Sequence, residues 1–238
     1  MEVPYFFHES ASIGEQVSLD ETNSRHALQV LRMQPGDLLQ LTNGQGILWS
    51  GTISSAGKKS CVVGIEKEEI LPRAILRKSA VGISPLKNAA RFEWFLEKAT
   101  ELGIAEIFPL LCHRTVRERF RHDRMRQICI SAMLQSRQVW LPVLHEPQPY
   151  GGFVGSPMAH AYHQRWIAHC EAYEKHLLAR VLQPGMHDSL LLIGPEGDFT
   201  TEEIFAATNG GYIAVSLGQT RLRTETAGVV GAALLCLG

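Results

Sequence analysis

The sequence predicts an α/β protein in two unequal parts: a small β-barrel module in residues 1–72 and an α/β domain with a largely parallel sheet in residues 73–238. Three observations predict it. At 238 residues the chain is long for one domain and short for two full-sized ones. Its early strands alternate apolar and polar residues, whereas beyond residue 73 strands alternate with longer amphipathic segments. An unbroken apolar run, Leu190-Leu191-Leu192-Ile193, then enters a glycine-bearing loop and a helix, as a strand buried on both faces of a parallel sheet does.

In the first part, residues 38–42 and 47–53 alternate around Asn43-Gly44-Gln45-Gly46, a hairpin with glycines where the turn needs positive φ. Residues 61–65 add another strand. One helix, residues 24–33, interrupts these strands and is stopped by the turn residues Pro35-Gly36-Asp37. Gly57-Lys58-Lys59-Ser60 is not a phosphate loop, because its glycine spacing is wrong and strands flank it on both sides.

In the second part, residues 75–83 form a strand and Asn88 caps a helix with Phe92, Phe95, Leu96, Ala99 and Leu102 on one face; Gly103 ends it. Residues 104–111 are the next strand. A second helix turns Met125, Ile128, Cys129, Ala132 and Met133 inward. Strands are expected at 140–144 and 165–169, with residues 150–157 a glycine-rich loop between them.

Hydrophobic residues make up 45% and charged residues 20% of the chain, a balance that fits a soluble folded protein rather than a disordered or fibrous one. No apolar run is long enough to span a bilayer and the N-terminus does not read as a signal peptide, so a cytoplasmic location without membrane partners is expected. The five cysteines are scattered, and His160, His163 and His169 lack metal-ligand spacing, so neither disulfides nor a metal site are expected.

The net charge is −1, but residues 1–75, 76–150 and 151–238 carry −3, +5 and −3. Within the basic middle, Arg114, Arg117, Arg119, Arg121, Arg124 and Arg126 cluster around Phe120. Guanidinium forks suit phosphate oxygens and stack on bases; a solvated helix start laced with ion pairs is the alternative.

Two late segments carry the chemistry. The first is the apolar strand followed by Gly194-Pro195-Glu196-Gly197-Asp198 and a helix whose start is marked by Thr200 and Glu203 at capping-box spacing. Ligands of open α/β sheets collect at such strand ends. Gly194 and Gly197 let a ligand approach the backbone and Glu196 places a carboxylate there, although a strand-to-helix turn calls for glycines in any case. The second runs from strand residues 212–217 through Gly218-Gln219-Thr220-Arg221-Leu222-Arg223-Thr224-Glu225-Thr226 into a helix of small and aliphatic residues. Gly228 and Gly231 weaken that helix, so something packs closely on it, within one subunit or between two.

Taken together, L-L-I-G-P-E-G-D-F-T-x-E-E and V-S-L-G-x-x-x-L-R-T-E-T-A resemble the bacterial methyltransferases that modify N3 of a uridine in 16S ribosomal RNA, members of the SPOUT class. The likeness extends to the segment from Arg25 to Arg32 and to the segment from Phe92 to Gly103. It departs at Asp198, where the family often has a second glycine, and at Gln135-Ser136-Arg137-Gln138, which matches the family's polar segment loosely.

The resemblance implies an N-terminal PUA-like RNA-binding barrel and a C-terminal SPOUT-type domain with a deep trefoil knot that binds S-adenosylmethionine and forms a homodimer. It implies a cofactor pocket around Leu192, Gly194, Glu196, Gly197, Leu217, Gly218, Leu222 and Thr226, and RNA contacts at Arg25, Arg32, Arg114, Arg117, Arg119 and Arg121. Arg223 is the candidate for stabilising charge on the target base, Glu225 for orienting Arg223, and Glu196 for accepting a hydrogen bond or proton. The substrate is expected to be 16S rRNA within the small ribosomal subunit. A non-enzymatic RNA-binding assembly factor is one alternative; a nucleotide-using enzyme is another, disfavoured by the lack of both a phosphate loop and G-x-G-x-x-G. The reading requires Gly194 and Gly218 to share one hollow.

Overall fold

The computed structural model describes residues 3–57, 60–73, 78–116, 120–172, 174–183 and 188–237. The chain divides into two units, one of residues 1–74 and 133–141, the other of residues 75–132 and 142–238. The return of 133–141 to the first unit is not visible in the sequence.

The first unit is a five-stranded sheet ordered β1-β3-β4-β5-β2, with β1 Tyr5–Phe7, β2 Gln16–Ser18, β3 Leu38–Thr42, β4 Ile47–Ala56 and β5 Cys61–Ile70. Alternate residues of the long β4–β5 hairpin point inward, so Trp49, Ile53, Val63 and Ile65 join Phe6, Leu39 and Leu41 in one buried cluster. The helix expected at 24–33 starts earlier, as α1 Glu21–Arg25, because Asp20 caps it by accepting from Asn23 N at 2.8 Å. A π-helical turn, His26–Val30, follows, and Arg32 then stands in the left-handed region at φ 56°.

In the second unit the strands are β6 Ser79–Ile83, β7 Glu106–Leu111, β8 Val143–Leu144, β9 Gln148–Pro149, β10 Gln164–Ala168, β11 His176–Leu177, β12 Ser189–Ile193 and β13 Ile213–Ser216. They form a parallel sheet ordered β11-β13-β10-β12-β6-β7-β8, with β9 also on β7. Every residue of β6 and β12 is buried, as expected for central parallel strands.

The helices are α2 Ala89–Glu101, α3 His122–Gln135, α4 Tyr150–Val154, α5 Pro157–His160, α6 Leu178–Val181, α7 Thr201–Asn209 and α8 Thr224–Leu237. Asn88 Oδ1 caps α2 by accepting from Ala90 N at 3.0 Å, Phe92, Phe95, Leu96 and Ala99 are buried, and Gly103 follows at φ 86°. Among the described residues no helix is long and apolar enough to cross a membrane.

Two sequence expectations are corrected. Residues 150–157 are not a loop throughout: burial of Tyr150, Phe153 and Val154 offsets the cost of Gly151 and Gly152 and makes residues 150–154 a short helix. The strand expected at 140–144 shrinks to Val143–Leu144, because Pro142 separates it from Trp140. Trp140 instead bridges Gln45 and donates its indole N–H to Leu71 O at 3.0 Å, both in the first unit.

Candidate functional site

A hollow of about 750 Å³ opens at the carboxyl ends of β10, β12 and β13. That volume lies in the range of small-molecule sites, and strand ends of a parallel sheet are where such sites form. Ile193, Gly194, Pro195, Glu196 and Asp198 give one wall. Leu217, Gly218, Arg221, Leu222 and Arg223 give the facing one. His169, Cys170 and Lys175, beyond β10, close a third side, and Arg91 reaches in from α2. Thr224 Oγ1 donates to Gly194 O at 3.1 Å, so the two walls are tied to each other.

The first wall is built by local chemistry. Phe199 is wholly buried beneath the loop. A Cβ on Gly194 would stand 3.0 Å from Phe199 N, so packing on Phe199 by itself calls for glycine at this point of the wall. Asp198 has φ 63°, which explains why glycine suits that position; here the carboxylate also accepts from Cys170 N at 2.6 Å and from its neighbour Phe199 N at 2.8 Å. The capping box at the start of α7 is complete, with Thr200 N donating to Glu203 Oε2 at 2.9 Å and Glu203 N to Thr200 Oγ1 at 3.2 Å.

Electrostatics divide the hollow. At one end Arg91 Nη1 lies 3.6 Å from Glu196 Oε1 and Arg91 Nε 3.7 Å from Glu225 Oε1. Glu225 is 6% exposed, and its Oε2 is buried without a hydrogen-bond partner. At the other end burial, and then the nearby Lys175 ammonium, hold the His169 imidazole below its usual pKa, so it is neutral at neutral pH. The site therefore offers apolar strand ends, a paired carboxylate with one oxygen unsatisfied, and an exposed arginine, Arg223, on one rim.

Of the residues assigned to a cofactor from the sequence, Gly194, Glu196, Leu217, Gly218 and Leu222 line the hollow. Leu192 is wholly buried inside β12, Gly197 lies on the loop's exposed side against Arg114, and Thr226 lies half-buried in the first turn of α8. Gly194 and Gly218 do share one hollow. Arg223 and Glu225 both face it, but the cation beside Glu225 is Arg91 rather than Arg223. Sequence reasoning missed Arg91; its signal is its place just after the Asn88 cap, where a helix start meets the strand ends.

The small residues of α8 are explained within one chain. A Cβ on Gly228 would stand 2.6 Å from the Phe95 ring of α2, and one on Gly231 2.4 Å from Leu191 of β12. Of the arginines assigned to RNA, Arg25, Arg32, Arg114 and Arg121 are exposed, and Arg114 is also bonded to the first wall. Arg117 and Arg119 lie outside the described residues. Arg124 pairs with Glu93 of α2, holding that carboxyl below its ordinary pKa, so part of the run forms ion pairs as the alternative reading has it. Among the described residues no cluster of side chains is arranged to hold a metal ion.

Comparison with known proteins places this geometry. Residues 76–236 match the family of RNA methyltransferase domains, and residues 19–66 match RNA methyltransferase PUA domains. The chain is 29% identical over 231 residues to the ribosomal RNA small subunit methyltransferase E of Mycobacterium bovis, covering 91% of this chain and 84% of that one. It superposes with a TM-score of 0.88 and 35% identity on the solved "probable rRNA-methyltransferase" of Porphyromonas gingivalis, covering 97% of this chain and 95% of that one. A structure of ribosomal RNA small subunit methyltransferase E from Neisseria gonorrhoeae bound to S-adenosylmethionine gives 0.86 at 25% identity, covering 98% and 96%.

Proposed function

The chain belongs to the RNA methyltransferase family, and on that premise we propose that it transfers a methyl group from S-adenosylmethionine to N3 of a uridine in 16S rRNA. The observation that carries this reading is the hollow itself, walled by both late signature loops at the carboxyl ends of a parallel sheet. Its residues fit the cofactor: the backbone around Gly218 faces open space, the strand ends are apolar, and a buried carboxylate oxygen of Glu225 awaits a donor. Gly194, Glu196, Leu217, Gly218 and Leu222 would hold it.

When bound, S-adenosylmethionine supplies an electrophilic methyl group on a sulfonium, so the protein mainly aligns and stabilises. Uridine N3 carries a proton and attacks only as that proton leaves. Arg223, exposed on the rim, stabilises the negative charge that develops on the uracil O2 or O4. Glu196, at the same rim, accepts from N3–H, and Arg91 fixes the spacing of Glu196 and Glu225 by standing between them.

The base must leave any stack to enter the hollow. Arg25, Arg32 and Arg121 grip phosphates, giving an affinity that falls with salt. A homodimer working in the cytoplasm on the small ribosomal subunit extends the same reading, supported by the sequence resemblance. The experiment is methylation of small subunits purified from a strain lacking the gene, with the product mapped by mass spectrometry. One added methyl on a single uridine of 16S rRNA is expected. Cofactor binding without methylation would leave the assembly-factor alternative.

A further inference from the structure

The arginine run assigns Arg114 to RNA, yet one nitrogen of its exposed guanidinium is bonded to the signature loop. Nη1 donates to Gly197 O at 2.6 Å and reaches Phe199 O at 3.4 Å. Gly197 makes room for it: a Cβ there would lie 3.2 Å from Arg114 Cδ and 3.5 Å from its Cβ. The glycine in the signature loop and the arginine behind it are thus matched, one lacking a side chain where the other passes.

The backbone that presents Arg114 is itself fastened around the same loop. His113 N donates to Glu203 Oε1 at 2.7 Å, on the helix that follows the loop. On the other flank Cys112 N donates to Thr115 Oγ1 at 2.8 Å, Thr115 and Ser84 share a hydroxyl bond of 2.8 Å, and Ser84 N donates to Ile193 O, the residue before Gly194, at 3.1 Å. Arg114 does not line the hollow.

We propose that Arg114 is a positioning residue for the methyl-donor site, holding the 194–199 loop from behind so that Pro195, Glu196 and Asp198 stand correctly at the wall. The inference rests on the reading of the hollow as the S-adenosylmethionine site. Both carbonyls are reached by Nη1, which stands one bond further from the backbone than a lysine ammonium, so lysine keeps the charge a phosphate needs but falls short of the loop. That difference separates loop positioning from RNA contact.

The test uses the full chain and the variants Arg114→Lys, Arg114→Met and Gly197→Ala, each first checked for an unchanged melting temperature. S-adenosylmethionine binding is titrated calorimetrically, 16S rRNA binding is measured without cofactor across a salt series, and initial rates are taken against both substrates. All three variants are expected to weaken the cofactor about tenfold. The KM for the cofactor should rise while kcat at saturating cofactor changes little, and the RNA salt slope should stay native. Native cofactor affinity in both Arg114 variants, with a slope reduced by about one in Arg114→Met, would make Arg114 an RNA contact and overturn the inference. No cofactor binding by the native chain would remove the site reading and the inference together, whereas native binding with unaffected variants removes the inference alone.

Discussion

In the loop after β12, Gly194 and Gly197 sit against Phe199 and Arg114, whereas in the loop after β13, Gly218 has no atom within 4 Å of where a Cβ would stand. The first loop is pinned by its capping box, by Asp198 and by Arg114. The second shows no comparable ties among the described residues until Thr224 reaches back to Gly194 O. Both belong to glycine-bearing signatures, but one set of glycines lets the protein touch itself and the other leaves space. A glycine in a motif thus signals close approach without saying of what.

The contrast can be broken by substitution. The largest effect is expected at the open wall: Arg223→Ala should lower kcat by about 10²–10³ with cofactor affinity nearly unchanged, read by single-turnover methylation. Full turnover by that variant would remove Arg223 from the chemistry. Next, Gly228→Ala forces a methyl into the Phe95 ring and should cost about 1–3 kcal/mol in urea unfolding, whatever the oligomeric state. A melting curve that shifts only with protein concentration would instead place that helix face in a subunit interface.

A smaller effect separates the two walls. Gly194→Ala should lose about 1 kcal/mol of stability through the clash at Phe199 N, while Gly218→Ala should be neutral for stability. Equal losses in both would erase the distinction drawn between the walls. The smallest effect lies at the far end of the sheet, where Glu106 Oε2 is 2.9 Å from His145 Nε2 and Glu106 Oε1 is 3.3 Å from Lys78 Nζ. The bond from His145, and then Lys78, hold the Glu106 carboxyl below its ordinary pKa. Its contribution is therefore present above the unfolded-state value near about 4.3 and lost as pH falls through the folded value. Glu106→Gln should cost about 0.5 kcal/mol at pH 7 and nothing once Glu106 is protonated in both the folded and the unfolded chain, with cofactor binding unaffected. A loss that persists unchanged into acid would assign it to packing.

Much of this was readable from residue patterns because it is local. The hairpin, the Asn88 cap, the capping box at Thr200 and Glu203 and the apolar β12 each follow from neighbours in sequence. What stayed hidden is long-range. Tyr150-Gly151-Gly152-Phe153-Val154 reads as a loop by composition and is helical by burial. Arg91 became part of the site because packing brings α2 to the strand ends, and Arg114 bonds Gly197 O of a loop 83 residues away. The left-handed backbone at Asp198 shows why the departure from glycine there is tolerated: aspartate is among the few residues that visit this region and bond locally.

Calorimetric titration of S-adenosylmethionine into the native chain and into Gly218→Leu asks whether the hollow shared by Gly194 and Gly218 is where the methyl donor binds. One site per chain is expected in the native protein and at least about a hundredfold weaker binding in the variant, with the melting temperature of the free protein unmoved. Undiminished binding by Gly218→Leu, at native stability, would contradict it.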